Sequence, residues 1–195
     1  MPENFEEREI SEESEISSER FLEVISSEKF LKALTIAGQE TLKSGYETTF
    51  EVNILDDGDT DIMEVRKGGT DGVWPGEGQV LTHIDGTKNL ENKKGSLLLF
   101  HFHPELKGEE IIEPSEIDLV KLTHSAFVGT GQIGKTDIDI LLVWKKRNIS
   151  NSEIEENAEE YDKEVLERGF ISEQQNLQEI LDNNGFESIV ISYKA

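Results

Sequence analysis

His101, Phe102, His103 and Pro104 follow an apolar run at residues 97–100. Side chains alternate between faces along a strand, so both imidazoles fall on one face and Phe102 on the other. The chain has only four His, and two of them two residues apart say more than a lone His would. Two neutral imidazoles side by side make a clamp for a divalent metal; the same spacing also suits a pair of hydrogen-bonded histidines. Pro104 has no N–H for a sheet ladder, so the strand stops there and the pair lies at a sheet end. Downstream, Ser115-Glu116-Ile117-Asp118 follows Pro114. A Ser with an acid three residues later is first of all a helix start with its own cap. Near the His pair it also offers an oxygen ligand, Asp118, and a hydroxyl, Ser115. Two His and one carboxylate, with a fourth position left for water, form the pattern of a catalytic zinc site.

A second candidate is GTGQIGKT, residues 129–136, which satisfies both the P-loop and the GxGxxG patterns. Each needs a helix directly after the loop, because the phosphates sit on its free N–H groups. The next residues are TDIDILLVWKK, where Asp137 and Asp139 alternate with Ile138 and Ile140. That is strand periodicity, and two carboxylates there would repel a triphosphate. The segment is expected to be a glycine-rich hairpin connection that binds no nucleotide.

The elements that must position these groups can be read from periodicity. Residues 28–44 space Phe30, Leu31, Leu34, Ala37 and Leu42 as a helix, with Ser26 or Ser27 as cap and Gly45 as stop. TTFEVNIL and TDIMEV around DDGD read as a hairpin. Residues 68–78 are Gly-rich loop, and short strands resume near 80–84. Residues 96–102 form a buried strand, a helix begins at Glu116, and strands are expected at 125–128 and 138–144. Residues 151–167 and 172–183 are helical in pattern, Gly185 ends the second, and FESIVISY is a final strand. Strands interleaved with helices indicate an α/β or α+β sandwich.

HFHP followed by SEID resembles the signature of the JAB/MPN (JAMM) zinc metallopeptidase family: an upstream Glu, then HxHP, then SxxD. The order of elements over residues 28–146 is similar too. The resemblance implies an α/β three-layer sandwich with a mixed sheet between helices, the cytidine-deaminase-like JAB/MPN fold. It implies Zn2+ held by His101, His103 and Asp118, with Ser115 stabilising the oxyanion and an upstream Glu as general base. Glu47, which follows the first helix and opens the first strand, matches the family's position best; Glu51 and Glu64 are rivals. The implied activity is hydrolysis of peptide or isopeptide bonds, with peptides or ubiquitin-like conjugates as substrates whose extended tails could pair with a strand edge. The chain departs from the family in two respects: no rigid motif fixes the upstream Glu, and the loop before Ser115 is longer. Residues 105–114 put ten positions between Pro104 and Ser115, where about six or seven are usual, and a longer loop there is thermodynamically tolerable. Members that have lost the site serve as scaffolds, so a non-catalytic interaction module is the alternative. A cupin fits only part of one motif.

Composition sets the bounds. The 195 residues carry 19 Lys plus Arg against 42 Asp plus Glu, a net charge of −23. Such a chain repels phosphate backbones and anionic lipid, so neither nucleic acid nor membrane is an expected partner. The absence of Cys excludes a disulfide scaffold, thiolate metal sites and a Cys nucleophile. No apolar run approaches the ~20 residues of a membrane span, and the N-terminus lacks the marks of a secretion signal. A cytoplasmic protein is expected, its oligomeric state left open. Residues 1–26 are expected to be an acidic, disordered or loosely helical arm, residues 27–148 the metallopeptidase-like core, and residues 149–195 an acidic helical segment ending in a strand.

Overall fold

The computed structural model describes residues 18–55, 60–68, 78–84, 95–103, 113–133, 137–168 and 174–194. Helix α1 (Ser18–Ile25) lies in the segment expected to be an acidic arm. Phe21, Val24 and Ile25 are buried, and Phe21 stacks on Phe127 at 4.6 Å between ring centroids. These three side chains bury enough apolar surface to order the last turns of that segment despite its acidic composition. Residues 1–17, the rest of that arm, lie outside the described residues.

Helix α2 (Glu28–Ser44) starts at Ser27, whose hydroxyl accepts from Phe30 N at 3.2 Å. It ends at Gly45, whose φ of 70° is open to glycine without a Cβ clash. Then come β1 (Thr48–Leu55), β2 (Thr60–Lys67), β3 (Gln79–His83), β4 (Gly95–Phe102), α3 (Glu116–Val120) and a 3-10 turn at Lys121–Thr123. The chain continues with β5 (Phe127–Ile133), β6 (Asp137–Lys145), α4 (Asn151–Arg168), α5 (Gln174–Asn183) and β7 (Phe186–Lys194).

The seven strands form one sheet in the order β3-β2-β1-β4-β5-β6-β7. β4 and β5 run parallel and every other neighbouring pair is antiparallel, so the sheet is mixed. Alternation along β6 separates its two faces. Ile138, Ile140 and Leu142 join Phe30, Leu34, Phe50, Phe100 and Phe102 under α1 and α2. Leu141 and Val143 join Leu119, Ile154, Tyr161, Leu177 and Ile180 under α3, α4 and α5. Helices therefore cover both faces of a mixed sheet, an α/β sandwich. The C-terminal residues complete it, β7 being the sheet neighbour of β6.

The glycine-rich segment differs from the expected hairpin turn. β5 runs to Ile133, so Gly129 and Gly131 lie inside a strand. Their reason is steric. A Cβ on Gly129 would stand 2.4 Å from Phe100 Cδ1, and one on Gly131 2.4 Å from Phe102 Cε1. The glycines make room for the rings of the neighbouring strand. β5 and β6 do pair antiparallel, and strand rather than helix comes after the motif; residues 134–136 lie outside the described residues. Among the described residues no helix is long and apolar enough to cross a membrane.

Candidate metal centre

β4 carries Leu98, Phe100 and Phe102 on its α2 face. The strand period then turns His101 to the opposite face, where α3 lies. The chain leaves β4 after Phe102 and returns through α3 into the parallel strand β5. His101 and His103 thus sit at the carboxyl end of β4, where open α/β sheets place ligands. α3 delivers Asp118 at its third position. Ser115 caps the helix: its hydroxyl accepts from Asp118 N at 3.3 Å while its own N–H donates to Asp118 Oδ2 at 2.9 Å. The cap that makes the helix also fixes the carboxylate. Tyr161 of α4 holds the approach, its hydroxyl donating to Pro114 O at 3.1 Å.

The three groups converge. His101 Nε2 and His103 Nε2 are 3.0 Å apart. Asp118 Oδ2 is 3.2 Å from His101 Nε2 and 3.9 Å from His103 Nε2. Ligand atoms about 2.0–2.1 Å from a tetrahedral ion stand about 3.3–3.4 Å from one another, and the three observed separations bracket that value. His101 and Asp118 are buried, and His103 is partly exposed. The set can hold a metal ion, and His103 is its most exposed member.

Glu47 directly precedes β1. Thr48 pairs with Phe102 and Thr49 with His101, so the register sets Glu47 across from His103. Its Oε1 lies 3.1 Å from His103 Nδ1. The Thr48 hydroxyl ties this end of β1 to α2, 2.9 Å from Ala37 O, and the Glu47 carbonyl accepts from Gly68 N at 2.9 Å. Of the rivals, Glu51 pairs across from Leu99, four residues, or about 13 Å, further along β1 than Glu47. Glu64 is ion-paired with Arg66 on β2.

The electrostatics favour a cation between these groups. Burial alone would lower the pKa of His103, but hydrogen bonds and charge from Asp118 and Glu47 outweigh it and raise the value to about 9. Burial would raise the Glu47 carboxyl; the hydrogen bond and charge of His103 hold it below its usual value. Burial likewise opposes ionisation of Asp118, yet His101, His103 and Lys121 hold it well below the carboxylate range.

Two neighbours escape the sequence reading. Lys121 donates from Nζ to Asp118 Oδ1 at 2.8 Å and is 8% exposed; its only sequence signal is the three-residue spacing from Asp118. Thr130 pairs with His101 in the parallel register, and its buried hydroxyl has no hydrogen-bond partner among the described residues. A single Thr between two strand glycines is its only mark. No family model, curated protein or solved structure matches the chain.

Proposed function

We propose that the chain is a zinc-dependent peptidase or isopeptidase with a JAB/MPN-type fold and site, acting on peptides or ubiquitin-like conjugates. The observation that carries this reading is the convergence of His101 Nε2, His103 Nε2 and Asp118 Oδ2 at 3.0–3.9 Å with the Glu47 carboxylate beside them. Two imidazoles and a carboxylate suit zinc better than the oxygen-preferring Mg2+ or Ca2+. Zinc, when bound, would supply Lewis acidity and bring the pKa of a water toward about 7.

The protein groups have separable tasks. With its proton on Nδ1, His103 donates to Glu47 and turns the Nε2 lone pair toward the other two ligands. Glu47 stays ionised at neutral pH and keeps Oε2 to accept a proton from the attacking water. It then passes that proton to the leaving amine as the C–N bond breaks. The Ser115 hydroxyl has one proton, which here points to Asp118 Oδ2 at 2.7 Å. Turning it toward a developing oxyanion requires rotation of that hydroxyl, a contact that can stabilise the transition state by about 3 kcal/mol.

Glu47→Gln keeps shape and removes basicity. It is expected to leave zinc bound and to slow cleavage of a ubiquitin-like fusion or labelled peptide on the order of 10²-fold or more. Near-normal turnover in that variant, with collapse in Glu51→Gln or Glu64→Gln, moves the role to one of those residues. No turnover by the zinc-loaded unmutated protein on such substrates favours the scaffold.

A further inference from the structure

The two oxygens of Asp118 are held differently. Oδ2 faces the imidazoles and accepts from Ser115 N and Oγ at 2.9 and 2.7 Å. Oδ1 is taken by the Lys121 ammonium at 2.8 Å. Both partners of this ion pair are buried, Asp118 at 3% and Lys121 at 8% exposure. A surface pair with this spacing would fluctuate and contribute little. This one is fixed at both ends. The Lys121 carbonyl accepts from Ser125 N at 3.0 Å, Ser125 Oγ at 2.9 Å and His124 N at 3.0 Å, so the turn that carries the side chain is tied down. Asp118 is fixed by the cap.

We propose that Lys121 is a positioning residue: by occupying Oδ1 it holds Asp118 to one-oxygen ligation and keeps the centre four-coordinate. The inference rests on the metal reading above. A carboxylate with both oxygens free can ligate through either or both, which suits larger, oxygen-seeking cations with six or more ligands. With Oδ1 held by an ammonium, only Oδ2 is presented. Asp118 and Lys121 also cancel in charge, so the neutral imidazoles and this pair sum to zero. Two imidazole nitrogens with a single carboxylate oxygen favour Zn2+ or Co2+ over Mn2+. Lys121 touches neither substrate nor reacting atoms; it acts through Asp118.

The test is the visible spectrum of the Co2+-loaded protein, which is intense for four-coordinate cobalt and weak for five or six ligands, together with the ratio of Mn2+ to Zn2+ dissociation constants. The unmutated protein is expected to give intense bands. Lys121→Met should weaken them several-fold and reduce the preference for Zn2+ over Mn2+ about 10-fold or more. Lys121→Gln, which can still donate to Oδ1, should restore much of both. Unchanged bands and an unchanged ratio in Lys121→Met overturn the inference while leaving the metal site intact. Weak bands in the unmutated protein overturn it as well, a result independent of whether any variant folds. Failure of the unmutated protein to take up Co2+ or Zn2+ removes the metal reading itself, and this inference with it.

Discussion

Gly129→Ala probes the packing that turns His101 toward α3. Gly129 pairs with Phe100 on one side and Leu142 on the other. An added Cβ would stand 2.4 and 2.6 Å from Phe100 Cδ1 and Cε1, and 3.2 Å from Leu142 Cδ2. Phe100 has little room to yield. It is 1% exposed, stacks on Phe50 with centroids 5.0 Å apart and meets Phe30 edge-on at 4.9 Å. Overpacking of this kind destabilises by about 1–3 kcal/mol. Restricting the unfolded chain returns about 0.4–1 kcal/mol, so the mid-range net loss is about 1.3 kcal/mol. For a chain of this length that lowers Tm by about 3–5 °C. Urea unfolding reads it as a lower midpoint at unchanged slope. The decisive assay is a double-mutant cycle with Phe100→Leu, which frees space next to the new methyl group. The two changes should couple favourably by about 1 kcal/mol or more. A neutral or stabilising Gly129→Ala, or strict additivity with Phe100→Leu, would refute the steric role of this glycine.

Metal binding should depend on pH through His103. With its pKa raised to about 9, the metal-free protein holds a proton there at pH 7 that a metal must displace, so affinity should rise with pH up to about 9, by at most about tenfold per unit. The side chain is 38% exposed, and solvent screening makes that slope an upper bound; zinc titrations in buffers of different ionisation enthalpy should register proton release, and a pH-independent affinity between 7 and 9 would contradict the coupling. In the metal-free protein the same proton stabilises the fold fully below about pH 6.5, and the contribution disappears as pH passes about 9, which thermal melts across that window measure. Tyr161→Phe removes the donor to the buried approach of α3 and should destabilise by about 1–2 kcal/mol; an unchanged melting temperature would show that the Pro114 carbonyl finds another donor.

Local patterns make much of this fold legible from the sequence. The helix over residues 28–44, its cap at Ser26 or Ser27 and its end at Gly45, the β1–β2 hairpin and the strand carrying the His pair come from spacing and cap chemistry, which act within a few residues. Asp118 at the third position of a capped helix is readable for the same reason. Glu47 is harder, because only the β1–β4 register, a pairing across some fifty residues of chain, sets it opposite His103 rather than Glu51. The glycines at 129 and 131 look like turn residues, since nothing local reveals that Phe100 and Phe102 of another strand require the space. Phe21, Val24 and Ile25 are hidden in an acidic stretch whose composition argues against burial. Lys121 looks like one more surface lysine until the packing of α3 buries it against Asp118.

The most direct test of the metal centre is the zinc content of the purified chain, measured by elemental analysis beside a His101→Ala, His103→Ala double variant. The geometry of His101, His103 and Asp118 predicts about one zinc per chain in the unmutated protein and almost none in the double variant. Full zinc occupancy without the two imidazoles, or none with them under zinc-replete conditions, would contradict it.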